Sequence, residues 1–368
     1  MIEFIIALQY IVRFDEKASV DAFINDVQKQ YNVRVIKKVR NFPAIVVDAD
    51  SAALEKISTD KRIRYIQRNQ IYRALYIPND PYFISEQWGH FVVFLNRAWD
   101  ITTGNKNIVI AVIDEGVDYN HVELINQFGT TKGYDFVDDD PDPAPDDPDN
   151  ELHGTHVAGI IAATMNNSIG ISGAGNFTLV AYRALDESGA GTSDNIFEAM
   201  LEAARNPDVR IVNMSLGAST GDSLMKEGID TLLARGKVVI AATGNDGGPV
   251  NYPAAFDGVI GVAAWDTTNT IGSFSSRGPE VDVAAPGVRI LSTIPGNRAA
   301  WMDGTSMAAP LVSGIVGLML TVNPNLTPQD VADILCSTAI DVLDAGRDIY
   351  SGCGLVNAEA AVKAAQGR

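Results

Sequence analysis

The sequence has few of the side chains that bind transition metals or cross-link a chain. Its 368 residues include two cysteines and four histidines. The histidines are His90, His121, His153 and His156, and the cysteines are Cys336 and Cys353. A metal centre built from several histidines is therefore not expected, and disulfide bonding is limited to one intramolecular bridge.

Long apolar runs are also missing. No stretch of 18 consecutive apolar residues occurs, so we expect no membrane-spanning segment. The first ten residues are apolar but lack a basic start and a small-residue cleavage site, so they predict a strand and not a signal peptide.

Basic residues are scarce in most of the chain. Lysine and arginine number 28 against 46 aspartates and glutamates, which gives a net charge of −18. Residues 1–75 are nevertheless basic, with 13 lysines and arginines against 9 acidic residues. The remaining residues have 15 lysines and arginines against 37 acidic residues. The acidic part is therefore not expected to bind nucleic acid, and the opposite charges favour docking of the small part on the large one.

Three short motifs present an acid, an imidazole and a hydroxyl in that order along the chain. Asp114 ends the apolar run 108–113, which predicts a buried parallel strand. His153 begins a helical pattern, and Ser306 lies at the start of another, more apolar helix. A serine hydroxyl is a weak nucleophile that needs a base and a group to orient that base, so these three residue types together indicate nucleophilic catalysis.

A fourth motif follows a second buried strand. The run 238–242 ends in the polar segment 243–247, which contains Asn245. The carboxyl ends of strands in an open α/β sheet face the ligand-binding crevice. From that position the Asn245 side chain can donate an N–H to a developing oxyanion.

These motifs resemble those of the subtilases, the subtilisin-like serine proteases, and the resemblance extends over nearly the whole chain. It implies that Ser306 is the nucleophile, His153 the general base and acid, Asp114 the orienting group and Asn245 the oxyanion donor. It also implies a substrate cleft between two main-chain segments. Those segments are Ser188, Gly189 and Ala190 on one side, and Ser215, Leu216 and Gly217 on the other.

One departure from the family pattern lies beside Asp114. Many subtilases have serine or threonine at the next position, whereas this chain has Glu115. The extra carboxylate is expected to make the local potential more negative. Because the Asp-x-Gly-Val-Asp frame is kept through Asp118, we expect activity to survive.

The order of patterns predicts two domains. Residues 1–75 follow a β-α-β-β-α-β order, which indicates a ferredoxin-like α+β unit and resembles the family's propeptide, a folding helper and inhibitor. In residues 76–368, strands near 107–113, 178–184, 209–214, 237–242 and 258–264 alternate with helices. The helices are expected near 153–164, 192–205, 222–235, 305–321 and 328–337. This alternation predicts an α/β fold with a doubly wound, mostly parallel sheet.

Calcium is the cofactor that the sequence favours. The segment Asp135 to Glu151 has nine acidic residues and four prolines, and it is typical either of a solvated loop or of a calcium-binding loop. The family resemblance implies a tighter site elsewhere, with carboxylates from Asp80 and Glu123 and a side-chain oxygen from Asn167. The resemblance adds the carbonyl oxygens of Met165, Ile169 and Ile171.

The resemblance also predicts covalent processing. It implies cleavage between Leu75 and Tyr76, after which residues 1–75 would remain bound to the acidic domain. The family's segments that correspond to Cys336 and Cys353 pack near each other, and a secreted context would favour a disulfide over two free thiols.

We therefore expect the precursor of a secreted, calcium-stabilised serine endopeptidase that acts on proteins or peptides and is inhibited by its own propeptide. A catalytically silent peptide-binding or chaperone-like protein on the same fold is the alternative from another class. An esterase is a weaker third interpretation.

Overall fold

The structure is a computed structural model that describes residues 9–15, 20–30, 33–70 and 76–368. The chain forms two compact units, Met1–Ala74 and Leu75–Arg368. The predicted segments at residues 1–8 and 71–75, including Leu75 of the cleavage site, lie outside the described residues.

The first unit is a small antiparallel sheet with two helices. Its strands are β1 (Gln9–Phe14), β2 (Arg34–Lys38), β3 (Ala44–Asp48) and β4 (Ile63–Arg68), and its helices are α1 (Val20–Gln30) and α2 (Ser51–Ser58). The strand order β2-β3-β1-β4, with every pair antiparallel, is the ferredoxin-like arrangement. Its core is built around Phe14, Phe23 and Ile57. Helix α2 is capped by Asp50, whose carboxylate accepts a hydrogen bond from the Ala53 N–H at 2.7 Å.

The second unit is built on a seven-stranded sheet. Its strands are β5 (Val109–Asp114), β6 (Phe128–Asp135), β7 (Thr178–Arg183), β8 (Val209–Met214), β9 (Val238–Ala242), β10 (Ile260–Trp265) and β11 (Val283–Pro286). They lie in the order β11-β10-β9-β8-β5-β7-β6, and every neighbouring pair is parallel. Strands β5, β9 and β10 are almost continuously apolar and buried, as expected where both faces of a sheet are covered, whereas the edge strand β6 is more polar and partly exposed. The predicted doubly wound fold is confirmed.

Helices cover this sheet, and a hairpin lies beside it. The long helices are α6 (His153–Ala162), α7 (Ser193–Arg205), α8 (Ser223–Ala234), α9 (Thr305–Val322), α10 (Pro328–Thr338) and α11 (Ala358–Gln366). Three short ones precede β5, namely α3 (Phe83–Glu86), α4 (Trp88–Val92) and α5 (Leu95–Ala98). The hairpin consists of β12 (Ile290–Ile294) and β13 (Arg298–Met302). Strands β6 and β11, the hairpin and α11 were not predicted from the sequence.

Helix α9 is the central core element. Among the described residues it is the one helix long and apolar enough by composition to cross a membrane, but 89% of its apolar stretch is buried within the protein. Its small residues allow close packing: a Cβ on Gly314 would lie 2.2 Å from the Ala174 Cβ, and one on Gly317 would lie 2.7 Å from the Phe177 ring. The helix therefore fills the core under the sheet.

The two cysteines lie in the last part of the second unit. Cys336, near the end of α10, is disulfide-bonded to Cys353, and the two Cα atoms are 5.1 Å apart. The bridge joins α10 to the turn that leads into α11.

Candidate active site

The site lies at one edge of the parallel sheet. The carboxyl ends of β5, β8 and β9 meet there, because parallel strands end on the same side. They bring Asp114, Ser215 and Asn245 to this edge. Helices α6 and α9 begin at the same edge, so His153 and Ser306 lie in their first turns.

Asp114 and His153 form a direct pair. Asp114 ends β5 and is 1% exposed, and its Oδ1 accepts hydrogen bonds from His153 Nδ1 at 2.8 Å and from the Glu115 N–H at 3.0 Å. The Asp114 Oδ2 is buried and has no hydrogen-bond partner among the described residues. The pair holds the imidazole with Nδ1 toward the carboxylate, which leaves Nε2 as the atom available to a substrate or a nucleophile.

The environment of His153 favours its protonated form. Burial alone would lower the pKa of His153, but the charge and hydrogen bond of Asp114 and the charge of Glu115 outweigh it, so the pKa lies above its ordinary value. Glu115 is buried as well, and its Oε1 accepts a hydrogen bond from the His153 backbone N–H. Burial, followed by the charge of Asp114, raises the pKa of Glu115 to about 7.

His156, the second histidine of the same motif, has a structural environment. It is fully buried, and its Nε2 lies 3.1 Å from Ile290 O and 3.0 Å from Ala300 O, one on each strand of the hairpin. Burial lowers the pKa of His156 to about 3, so the ring is neutral at ordinary pH. It ties α6 to the hairpin and takes no part in the acid–imidazole pair.

Ser306 is close to this pair but is not hydrogen-bonded to it. Its hydroxyl donates to Ser215 O at 3.2 Å, and the Ser215 hydroxyl donates to Ser306 O at 2.9 Å. Within the described part of the chain no hydrogen bond joins Ser306 to His153. A serine side chain has three staggered rotamers, and catalytic hydrogen bonds are often long or misaligned when no substrate is bound.

Asn245 is fixed by its oxygen and leaves its nitrogen available. Its Oδ1 accepts hydrogen bonds from the Thr305 N–H and the Thr305 hydroxyl, both at 2.9 Å. Its Nδ2 lies 3.4 Å from the position that a Cβ on Gly304 would occupy, so it points toward the start of α9 beside Ser306. The first N–H groups of a helix have no partner within it, so Asn245 and this helix start form a cluster of donors.

A cleft runs past these groups. It encloses about 510 Å³. Its walls include Glu115, His153, Leu185, Gly189, Ala190, Gly191, Ile196, Ser215, Leu216, Gly217, Ala218, Met225 and Tyr252. Five of the six predicted substrate-binding residues line it. Ser188 does not, and its hydroxyl donates to Asp186 Oδ1 at 2.6 Å.

Most of the apolar wall of the cleft was not predicted from the sequence. Leu185, Ile196, Leu216 and Met225 come from different elements and form one apolar surface. Leu216 belongs to a predicted segment, but no local pattern distinguishes the other three from ordinary core residues.

An arginine side chain is buried among the carboxylates of the acidic segment 135–151. Arg183, at the end of β7, is 1% exposed, and its guanidinium lies 2.7 Å from Asp135 Oδ2 and 2.8 Å from Glu151 Oε1. The more exposed Asp138 and Asp146 each lie 3.0 Å from it. The carboxylates outnumber the arginine, and a hydrogen bond to Asp138 raises the pKa of Asp146 to about 6. Oxygens of Asp135, Asp138 and Asp146 lie within 4.8 Å of one another.

The other predicted calcium ligands meet around two buried carboxylates. Asp80 accepts hydrogen bonds from the N–H groups of Asn166 at 2.9 Å and Asn167 at 3.0 Å. Glu123 accepts from Asn167 Nδ2 at 2.8 Å and from the Ile171 N–H at 3.1 Å. Burial raises the pKa of both acids, that of Glu123 to about 7, and no lysine or arginine of the described residues is paired with either. Two buried carboxylates that lack a cationic partner fit a hard cation such as calcium.

The remaining predicted ligands belong to the same loop. Asn167 Oδ1 accepts a hydrogen bond from the Ile169 N–H at 2.8 Å. Met165 precedes this turn, and Ile171 follows Gly170, whose carbonyl accepts from the Tyr82 N–H at 2.9 Å. The loop is therefore connected at several points to the segment that contains Asp80.

The parallel sheet, with an acid, an imidazole and a hydroxyl at its carboxyl edge, defines a serine hydrolase of the α/β class. The sequence profile of the subtilase family matches residues 105–366. Thermitase from Thermoactinomyces vulgaris is 39% identical over 290 residues, which cover 78% of this chain and 100% of thermitase. The chain belongs to the subtilase family, the subtilisin-like serine endopeptidases, and the resemblance predicted from its motifs is confirmed.

Two further relatives extend the comparison. A thermophilic serine proteinase from Bacillus sp. (strain AK1) is 39% identical over 325 residues, which cover 88% of this chain and 79% of that protein. Halolysin from Haloferax mediterranei is 42% identical over 291 residues, which cover 78% of this chain and 56% of halolysin. The chain therefore spans about half the length of halolysin.

The Arg183 cluster yields a stability prediction. Replacing Arg183 with methionine leaves Asp135 and Glu151 buried without their counter-charge, and we expect the free energy of unfolding to fall by about 3–5 kcal/mol. Urea denaturation of the variant in a Ser306→Ala background, which avoids self-digestion, measures this change. Arg205→Met is the matched control, because Arg205 and its partner Glu202 are both exposed and 4.0 Å apart. A loss below about 1 kcal/mol for Arg183→Met would contradict the assignment.

Proposed function

We propose that the chain is the precursor of a secreted serine endopeptidase in which Ser306 attacks the carbonyl carbon of a peptide bond. His153 Nε2 takes the hydroxyl proton as the new C–O bond forms, and Asp114 stabilises the resulting imidazolium. His153 then gives that proton to the leaving amine, and water hydrolyses the acyl-enzyme by the reverse sequence. The observation that supports this proposal best is the 2.8 Å hydrogen bond between Asp114 and His153 at the edge where α9 begins.

Asn245 is proposed to stabilise the tetrahedral intermediate by donating a hydrogen bond to its oxyanion. Its Nδ2 is free of partners within the described residues and lies beside the start of α9. A preorganised donor of this kind acts mainly in the transition state, when the carbonyl oxygen becomes an anion, and in subtilisin it is worth about 3–4 kcal/mol.

The substrate is proposed to be a polypeptide with large apolar side chains. An extended chain would lie between the segments 189–191 and 215–217, with its main chain paired to them. The apolar wall of the cleft would take one of its side chains. Among the described residues that line the cleft, Glu115 and His153 are the two whose side chains can be charged near neutral pH, so most of the recognition there is apolar or through the main chain.

Peptide binding without catalysis is the alternative function. It would need only the cleft, and it would not require a carboxylate that is buried at a cost in free energy to orient an imidazole. A chromogenic peptide ester distinguishes the two, since an enzyme releases a burst of product equal to the number of active sites. Comparison of rates on matched amide and ester substrates separates an endopeptidase from an esterase.

The first prediction concerns the nucleophile. Ser306→Ala removes the attacking atom, so we expect amide hydrolysis to fall by about 10⁴–10⁶-fold while the fold is retained. Hydrolysis of a chromogenic peptide amide and circular dichroism measure the two effects. Ser337→Ala, at an exposed serine of α10, is the matched control and should not alter the rate. Unchanged amidase activity of Ser306→Ala would refute the proposed function.

Calcium is proposed to bind at Asp80, Glu123 and Asn167, with carbonyl oxygens of Met165, Ile169 and Ile171. The ion would supply positive charge between two buried carboxylates and would cross-link the loop 165–171 to the segments of Asp80 and Glu123. The acidic cluster of residues 135–151 already contains the Arg183 guanidinium, so the proposal rests on the other group of ligands.

Chelation provides the second test of function. Removing calcium should lower the melting temperature of the Ser306→Ala protein, because a ligand present at 100 times its Kd contributes about 3 kcal/mol of stability. Calcium should restore the melting temperature, and magnesium at equal concentration should restore much less. In Glu123→Gln, which has one carboxylate fewer, chelator should change the melting temperature less. Identical melting temperatures with and without chelator would contradict this exchangeable site.

Self-cleavage before Tyr76 is proposed to convert the precursor into the enzyme, and residues 1–75 would then act as an inhibitor. Tyr76 has a suitable environment for a new terminus. Its N–H donates to Asp100 Oδ1 at 3.1 Å, and its ring lies 6.0 Å from that of Trp99 in an edge-to-face arrangement. An α-amino group formed at this nitrogen would be positively charged beside the Asp100 carboxylate.

The processing proposal predicts the first residue of the mature enzyme. We expect N-terminal sequencing to find Tyr76, and we expect the Ser306→Ala chain to keep its full mass of 39.4 kDa. Asp100→Asn should be cleaved at the same bond but should give a less stable product, since it loses the charge that faces the new terminus. A start more than a few residues from Tyr76 would show that the cleavage site is wrong.

An extracellular location is part of the proposal. Disulfides persist in oxidising compartments, and Cys336–Cys353 is such a bond. One relative, 39% identical over 304 residues, is named a halolysin-like extracellular serine protease of Natrialba magadii.

A further inference from the structure

Glu115 is the one charged cleft residue that the proposed reaction does not use. It is 5% exposed, and it lines the cleft together with His153 and Gly189. Its Oε1 accepts from the His153 backbone N–H, and its Oε2 lies 3.9 Å from where a Cβ on Gly189 would be. A buried carboxylate in this position is costly unless it is compensated, so its contacts need an explanation.

The helix that begins at His153 lacks an ordinary cap. The residue before it, Leu152, has no side chain that can accept a hydrogen bond, and none is formed there. The first N–H groups of a helix need external acceptors, and the positive end of the helix dipole favours an anion. Glu115 supplies both an acceptor and a negative charge, although it lies 38 residues earlier in the chain.

We propose that Glu115 is a positioning residue for His153: its carboxylate caps α6 at the residue that bears the imidazole, and its charge favours the imidazolium. This inference rests on the proposed function, since it assumes that His153 is the general base. Asp114 would orient the ring through its side chain, and Glu115 would fix the same residue through its main chain.

The charges around Glu115 agree with this role. Asp114 on β5 and Glu151 before α6 both add negative potential, and among the described residues His153 is the cation-forming group that acts on Glu115. Arg183 is paired with Glu151 and not with Glu115. The cleft-lining loop residues Leu185 and 189–191 are uncharged, and the nearby His156 is neutral. Because burial and the charge of Asp114 raise the pKa of Glu115 to about 7, its negative charge is fully present only above that pH. There the helix terminus and the protonation of His153 are the groups that oppose it.

The sign of the effect on pH dependence follows from these contacts. Burial lowers the pKa of His153, while Asp114 and Glu115 raise it, and the net shift is upward. Loss of the Glu115 charge removes one of the raising contributions, so the pKa of His153 falls. Because the general base must be neutral, the acid limb of kcat/KM then moves to lower pH.

Two substitutions separate the charge from the cap. Glu115→Gln keeps an oxygen that can accept from the His153 N–H but removes the charge. We expect its acid limb to move to lower pH by about half a pH unit, since Glu115 with a pKa of about 7 is only partly ionised across that limb. Glu115→Ala removes both, so we expect the same shift of the limb together with a larger fall in kcat than in Glu115→Gln. A higher kcat for Glu115→Gln than for Glu115→Ala would show that the hydrogen bond to the His153 N–H contributes to catalysis.

The experiment is the pH profile of kcat/KM, and of kcat and KM separately, for the active enzyme obtained from the full chain. Glu227→Gln, which removes one negative charge from the exposed face of α8, is the matched control and should leave the profile in place. An acid limb of Glu115→Gln that coincides with the unmodified enzyme would overturn the inference. Equal losses of kcat in both Glu115 variants without a shift would also overturn it, since they would indicate a merely structural residue.

Failure of this inference differs from failure of the proposed function. If Ser306→Ala keeps its amidase activity, the proposed mechanism is wrong whatever the Glu115 variants do. If Ser306→Ala is inactive and the acid limb is the same with and without the Glu115 charge, the mechanism stands and the positioning role is wrong.

Discussion

A single buried carboxylate constrains the whole site. Asp114 is 1% exposed at the end of a central strand, and its charge is costly there unless polar groups compensate it. The compensation comes from His153 Nδ1 at 2.8 Å and from the neighbouring N–H of Glu115 at 3.0 Å. The sheet sets the position of the Asp114 carboxylate, and the carboxylate sets the orientation of the His153 imidazole. Helix α6, which begins at His153, must therefore start close to the end of β5. Gly154 permits this approach, since a Cβ there would lie 2.1 Å from Gly116 O.

The two groups of buried carboxylates in the second unit differ in whether a protein cation lies beside them. Where β6 and β7 end side by side, Asp135 is in register with Arg183, so the protein supplies its own cation. Around Asp80 and Glu123 no such cation is present among the described residues, and burial raises the pKa of both acids. The first arrangement therefore includes a protein cation, whereas the second is the one for which we propose a metal ion. This difference explains why the two acidic regions of an acidic protein need not have the same role.

The sequence predicted those parts of the structure that depend on local pattern. The predicted strand near 107–113 is observed at Val109–Asp114 and the predicted helix 305–321 at Thr305–Val322, because continuous apolar runs and helical periodicity are local signals. Contacts between distant segments were not predicted. Arg183 reaches Asp135 and Glu151 across 48 and 32 residues, and no local pattern encodes that geometry. For the same reason the capping contact from Glu115 to His153 was missed, although the unusual residue itself was noticed.

The proposed mechanism requires Asp114 to hold His153 with its Nδ1 protonated and its Nε2 free to act as the base. Nitrogen-15 NMR of the imidazole in Ser306→Ala, recorded through a pH titration, measures this tautomer. We expect Nδ1 to stay protonated at high pH, Nε2 to be the nitrogen that titrates, and the pKa to lie above the ordinary 6.5. Asp114→Asn should lower that pKa, and the neutral ring should no longer be held with its proton on Nδ1. A neutral ring protonated at Nε2, or a pKa at or below 6.5 with Asp114 intact, would contradict the account.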